Sequence, residues 1–420
     1  MSIFYDLIFI IFAVFYFPYL LIKGKWHPGF LMRFGGFSGD LKKALSAKNN
    51  IWLHAVSVGE ILSVARLVEN IKAIFPFHQF VISTVTRAGF DVAKKAYPHD
   101  IVIFAPLDLS FIVRRYLRMI KPAVYIVAET EIWPNLFSAL GKAAIPIIQI
   151  NGRISEKAFQ RYKLVKFFLK RVLCCVRIFC MQTNRDAEKI RMLGAPAERV
   201  EVIGNIKFDE VAASSHLKKT DLKMLPEELL LIAGSTHPGE EEIVLEAYGL
   251  FLEQFKNIRL LIAPRHVERC DEIIKIIEKK GFTALRFSHI QKVNPDRKSV
   301  IIVDTMGHLK ALYALADLVF VGKSLTAGGG HNIIEPAYFG KAVIVGPHTQ
   351  NFQDIIDTFI QDDALVQVKD KDEFIERARD LLRNSEKRAD IGRLAKDVVD
   401  KYQGATVRIT QVVSRILSET

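Results

Sequence analysis

The residues best able to do chemistry sit in short polar clusters, each placed directly after an apolar run. In Leu318 to Pro347 an apolar LVFVG run leads into Gly328-Gly329-Gly330, then Asn332 and Glu335, before a second apolar run, AVIVGP. Three glycines let the backbone approach a ligand with no Cβ in the way, and a helix beginning near Asn332 would offer N–H groups to an anion such as a phosphate. Glu335, one helical turn from Asn332, is an acceptor suited to ribose hydroxyls. The alternative is a plain strand-to-helix turn in which Glu335 balances the helix dipole. Glu60, in Ser57-Val58-Gly59-Glu60, carries the same two readings, as a dipole complement or as a general base beside a glycine. Glu129 and Glu131 are separated by one residue: in extended chain they share a face and repel, and in helix they diverge. Lys207, two residues before Asp209, either holds an anion or pairs with that carboxylate. Three further clusters are Gly234-Ser235-Thr236-His237, Pro264-Arg265-His266 and Met306-Gly307-His308. Arg265 can grip a phosphate through two parallel hydrogen bonds. His266 alone reads first as a packed or capping histidine, and 306–308 as an ordinary turn. No His/Cys cluster has metal spacing, and Asp370-Lys371-Asp372 reads as capping and solvated charge, so no metal site is expected.

The elements that must position these clusters alternate along the chain. Strand-like runs appear at 51–56, 80–86, 101–107, 123–129, 145–150, 177–183 and 200–205, with helical runs such as Ile61 to Phe75 and Pro134 to Lys142 between them. The pattern restarts at 229–235, 259–265, 299–305, 318–322 and 342–347. Continuous Val/Ile-rich strands separated by helices predict parallel sheets covered on both faces, hence two doubly wound Rossmann-like α/β domains. The expected division is an anchor over 1–25, an N-terminal domain over 26–210, a polar linker over 211–228 and a C-terminal domain over 229–420. Ligands of doubly wound sheets bind at the carboxyl ends of the strands, and two such domains in tandem predict a cleft between them.

A chain of 420 residues with 50% hydrophobic content is long enough for two cores. Its net charge of +12 is uneven: residues 1–210 hold 29 Lys and Arg against 16 Asp and Glu, and residues 211–420 hold 29 against 30. A basic half attracts nucleic acid or an anionic membrane surface, and the neighbouring sequence favours the membrane, with no nucleic acid partner. Ile3 to Ile22 is almost wholly apolar apart from Asp6 and is followed at once by Lys23 and Lys25, which predicts an anchor that spans or lies in the interface. The flanking basic residues predict that the remainder faces the cytoplasm. Phe159 to Val176, dense in Lys, Arg, Phe and Leu, is a second segment suited to anionic lipid. The four cysteines have no CxxC spacing and are expected to be reduced.

Taken in order, His54-Ala55-Val56-Ser57-Val58-Gly59-Glu60, Glu129 to Asn135, Asn205 to Asp209, Gly234 to His237, Pro264 to His266 and Gly329 to Asn332 with Glu335-Pro336 resemble the 3-deoxy-D-manno-octulosonic acid (Kdo) transferases of lipopolysaccharide assembly. The likeness runs from the anchor to about residue 356. It implies a two-domain GT-B glycosyltransferase that needs no cofactor, takes CMP-Kdo as donor and a lipid A precursor as acceptor, and works at the cytoplasmic face of a bacterial inner membrane. By the same resemblance Glu60 is the general base, and Glu129 and Lys207 stabilise the transition state. CMP contacts fall on Pro264 and Arg265, on Met306, Gly307 and His308, and on Asn332, Ile333, Ile334 and Glu335. Two departures stand out: His308 replaces a usual acidic residue and Lys323 a usual glycine. A nucleotide-sugar epimerase of the same architecture, or a non-catalytic membrane-anchored lipid-binding protein, are the alternatives.

Overall fold

In the computed structural model of the chain, residues 5–7, 9–11, 28–46, 49–209, 217–293, 295–326 and 328–419 are described. The chain forms two compact units, one made of Met1–Glu210 with Gln403–Thr420 and the other of Val211–Tyr402.

The first unit holds a seven-stranded sheet of β1 (Asn50–His54), β2 (Gln79–Thr84), β3 (Ile101–Phe104), β4 (Pro122–Ala128), β5 (Ile147–Gly152), β6 (Ile178–Met181) and β7 (Val200–Val202), in the order β3-β2-β1-β4-β5-β6-β7. Every pairing is parallel. Burial follows the two-residue period of the pleat. Trp52, Val81, Ile103, Tyr125, Val127 and Phe179 enter one core cluster. Ile51, Leu53, Phe80, Ile82, Val124, Ile126 and Ile148 enter another, so both faces are covered.

The second unit repeats the plan with β8 (Leu229–Thr236), β9 (Ile258–Pro264), β10 (Thr283–Arg286), β11 (Ser299–Ile302), β12 (Leu318–Val321), β13 (Ala342–Val345) and β14 (Val366–Gln367), ordered β10-β11-β9-β8-β12-β13-β14. These pairings are also all parallel. The doubly wound expectation therefore holds for both units. In each sheet the strand order reverses beside the unit's first strand, between β1 and β4 and between β8 and β12. Such switch points are where ligands of open α/β sheets bind.

One boundary differs from the sequence reading. Residues 403–420 return to the first unit rather than closing the second. The helix Ala405–Ser418 places Ala405, Ile409, Val412, Val413, Ile416 and Leu417 on one stripe, which shares a core cluster with Leu67, Val68 and Ile71. Asp209 caps this helix, accepting from Gly404 N at 2.6 Å and Thr406 N at 2.5 Å. Of the expected linker, residues 211–216 lie outside the described residues, and 217–228 belong to the second unit.

The expected anchor also lies mostly outside the described residues. Residues 5–7 and 9–11 are helical and rest on the first unit. Asp6 accepts from Ser110 N at 3.0 Å, Ser110 Oγ at 2.5 Å and Asn135 Nδ2 at 2.7 Å, while the Tyr5 ring stacks on Phe168 at 6.2 Å. Among the described residues no helix is long and apolar enough to cross a membrane.

Candidate functional site

At the switch point of the first unit, β1 ends into the helix Val58–Ser63. Ser57 caps it and Glu60 completes a reciprocal capping box: Glu60 N donates to Ser57 Oγ at 3.2 Å, and Ser57 N to Glu60 Oε1 at 3.3 Å. Val56 N adds a bond of 2.8 Å to Glu60 Oε2. Two backbone N–H groups thus fix the Glu60 carboxylate at the sheet edge, with the residue half-exposed. The dipole-complement reading is realised, and it leaves the acid in a place where a ligand can reach it.

The neighbouring strand β4 supplies Glu129 and Glu131. Glu129 has φ +57°, a left-handed conformation rare outside glycine, although its N–H continues the ladder to Ile150 O at 2.9 Å. The chain therefore leaves the strand at Glu129, and neither the extended nor the helical alternative applies. Burial pushes the Glu131 carboxyl up to about 7, and the charges of Glu60 and Glu129 push it the same way. The Trp133 indole, close enough to Glu131 to favour its charged form, opposes them. Three carboxylates thus share one field, and Glu131 is the one that titrates near neutrality. Sequence reasoning noted Glu131 but gave it no role; its signal was the Glu-x-Glu spacing at a strand end.

Lys207 is carried by the turn Ile206–Asp209 beyond β7. A buried amide chain holds that turn on the sheet: Gln182 Nε2 donates to Asn151 O at 3.0 Å, Asn205 Nδ2 to Gln182 Oε1 at 3.0 Å, and Lys207 N to Asn205 Oδ1 at 3.0 Å. Asn151 Oδ1 also accepts Ile206 N at 3.2 Å. Both Asp209 oxygens also cap the last helix. His54, in the first motif, is structural: it is buried, its Nδ1 meets Ser83 Oγ at 2.9 Å, and desolvation drops its pKa to about 4.

In the second unit the proposed nucleotide contacts follow β9, β11 and β12, at the same carboxyl edge of the parallel sheet. Pro264 ends β9 buried, and Arg265 stands exposed behind it, its N–H donating to Thr236 O at 3.1 Å. Beyond β11, Met306 is 78% exposed, Gly307 has φ +88°, and the His308 ring lies 5.2 Å from Phe287. Nothing crowds a Cβ at Gly307, so its conformation alone calls for glycine. After β12 the helix is short, Ile334–Tyr338, and Asn332 Oδ1 accepts Ile334 N at 3.0 Å. Ile333 and Ile334 are fully buried, leaving only their backbone for a ligand. Burial raises the Glu335 pKa, while Lys310 and Arg265 lower it.

The glycine loop answers to packing as well as to any ligand. Gly329 and Gly330 have φ +129° and +69°, and a Cβ on Gly329 would meet Asn351 Nδ2 at 2.3 Å. The switch point itself is tied together by Glu240, which is buried and accepts four backbone N–H groups. These are Ser324 and Leu325, each at 2.9 Å to Oε1, with His237 at 2.9 Å and Lys323 at 2.7 Å to Oε2. Sequence reasoning passed over Glu240, because a carboxylate in a helix's first turn is commonplace. Two histidines face each other here, His237 Nε2 to His331 Nε2 at 3.0 Å. Among the described residues no group of His, Cys, Asp and Glu could hold a metal ion.

Comparison with known proteins follows this geometry. Residues 30–210 match the family described as 3-Deoxy-D-manno-octulosonic-acid transferase (kdotransferase), and residues 241–398 match Glycosyl transferases group 1. A 3-deoxy-D-manno-octulosonic acid transferase of Haemophilus influenzae is 33% identical over 387 residues, covering 91% of this chain and 90% of that protein. One of Chlamydophila psittaci is 28% identical over 351 residues, covering 82% and 80%. Among solved structures, the UDP-GlcNAc 2-epimerase of Neisseria meningitidis bound to UDP-GlcNAc superposes with TM-score 0.59 at 12% identity, over 88% of this chain and 100% of that one. At that identity the likeness is one of fold.

Proposed function

The chain belongs to the 3-deoxy-D-manno-octulosonic acid transferases, and is thus a glycosyltransferase, and on that premise we propose that it moves Kdo from CMP-Kdo to a lipid A precursor with inversion. The observation that carries the chemistry is the carboxylate cluster at the β1/β4 switch point. An acceptor hydroxyl needs a base, and the carboxyl group of Glu60, fixed by two backbone N–H groups, takes its proton. The hydroxyl oxygen forms the new bond to the anomeric carbon of Kdo as the bond from that carbon to the phosphate oxygen breaks. CMP departs with the electron pair. Glu131 sits beside that base and, when ionised, adds a negative charge next to it.

The second unit receives the donor through Arg265, the 306–308 turn and the 332–335 segment, and Arg265 offsets the charge on the leaving phosphate. Glu129 and Lys207, both in the first unit, keep the transition-state-stabilising role that the family resemblance implies. No metal is invoked in these steps.

A lipid acceptor also accounts for an exposed apolar surface on the first unit. Leu164 is 86% exposed and Phe167 80% exposed, in a segment with Lys163, Lys166, Lys170 and Arg171, and Leu7, Ile10 and Ile11 are exposed on the N-terminal helix that contacts Phe168. We assign this face to an anionic membrane, consistent with the cytoplasmic leaflet of a bacterial inner membrane. The test of the chemistry is Glu60→Gln, which should lower transfer by at least about 100-fold, at the scale of a lost general base, while CMP binding persists. Transfer near the wild-type rate would refute the role of Glu60.

A further inference from the structure

Cations gather at the β8/β12 switch point with little to balance them. Lys323 follows β12 with φ +59°, a left-handed residue at a position where a side chain carries a conformational cost. Neither its ammonium nor the guanidinium of Arg265 has a hydrogen bond or ion pair among the described residues. His331 is faced by Arg265, Lys323, His266 and His237. His237 is faced by Lys323, His266, Arg269 and one carboxylate, Glu240. That carboxylate is already engaged by four backbone N–H groups. Arg269 is paired with Glu241 at 2.8 Å. Glu335 is a further acid near Arg265.

The histidine pair reports the state of this field. A 3.0 Å approach of two Nε2 atoms needs one N–H and one lone pair, so the two rings cannot both be charged. Burial and the surrounding cations hold both histidines neutral, His331 down to about 3. An oxyanion at this point would reverse the field: each imidazole would then face a negative charge, and each would gain by presenting an N–H to it.

We propose that His237, His331 and Lys323 form an oxyanion site, next to Arg265, that holds an acidic group of the donor and takes up a proton as it does so. The inference rests on the donor reading given above and adds residues to it. The donor offers two acidic groups of this chemistry, the phosphate of its nucleotide and the carboxylate of its sugar. The approach of β8 to β12 is what makes the site compact, since a Cβ on Gly322 would meet Ser235 O at 2.6 Å and Glu240 Oε2 at 2.7 Å.

Calorimetric titration tests it with the full chain and two variants, His331→Gln and Lys323→Gly. The second relieves a left-handed backbone and so should fold. CMP, cytidine and free Kdo are titrated in two buffers of different ionisation enthalpy, so that proton uptake is read directly, and comparison between chains cancels the ionisation of the ligand itself. If the phosphate occupies the site, Lys323→Gly weakens CMP roughly tenfold, the loss of one charge-assisted contact, and leaves cytidine unchanged. His331→Gln then takes up fewer protons with CMP than the parent chain. If the carboxylate occupies it, the same changes appear with Kdo and not with CMP. Equal affinities and equal proton uptake for CMP and Kdo across all three chains overturn the oxyanion site while leaving the donor reading intact. Failure of every chain to bind CMP removes both.

Discussion

Glu131 decides how this enzyme should respond to pH. Its carboxyl titrates near 7 because burial and two neighbouring carboxylates favour the neutral form. As pH rises through that value, Glu131 ionises and adds a negative charge beside Glu60. Transfer should therefore rise between about pH 6 and 8 along a limb centred near the Glu131 value. In Glu131→Gln the limb should flatten and the rate above pH 8 should fall several-fold; a pH profile unchanged by the substitution would show that Glu131 does not tune the base. The clusters themselves were legible from sequence, since polar residues after apolar runs are where strand ends must fall. Their alliances were not. That Glu129 leaves its strand through a left-handed turn at a non-glycine residue, and that Asp209 caps the last helix through a contact across 195 residues, are set by tertiary structure.

Among the elements, the C-terminal helix is the one the sequence concealed. Its apolar stripe was readable, but which sheet it covers is set by tertiary packing rather than by order in the chain. Ile409, Val412, Val413, Ile416 and Leu417 are buried against the first unit. At roughly 1.5–3 kcal/mol for each such side chain, the helix contributes a sizeable part of that unit's stability. Deleting residues 405–420 should destabilise the first unit more than the second, read as a lowered and separated thermal transition; coincident loss in both units would contradict the packing. The strands missed by sequence, β10 and β14, are short edge strands with partly exposed residues, where the apolar signal is weakest. The helix beginning near Asn332 proved shorter and later than expected, at Ile334–Tyr338, because Asn332 turns back to cap Ile334 N. The basic, apolar surface around Leu164 and Phe167 gives the other element-level test. Replacing both residues by Ser should reduce co-sedimentation with vesicles containing anionic lipid several-fold without lowering thermal stability, since both side chains are already exposed. Undiminished sedimentation would move the membrane face elsewhere.

For the molecule as a whole, the charge asymmetry between the halves takes on a meaning. The first unit, basic and bearing exposed apolar residues, is the one assigned to an anionic lipid acceptor, and the second, nearly neutral, brings Arg265 and Lys323 near His331 at one switch point, assigned to the donor. Both units use the same device, a parallel sheet whose order reverses beside its first strand, to collect side chains from separated stretches of sequence. The central claim is the transfer itself. It is tested by incubating the purified full-length chain with CMP-Kdo and a lipid A precursor and recording the mass of the lipid product, with Glu60→Gln in parallel. The account predicts a product heavier by one or more Kdo residues with the parent chain and almost none with Glu60→Gln. An unaltered lipid mass, with the protein folded and the donor intact, would contradict it.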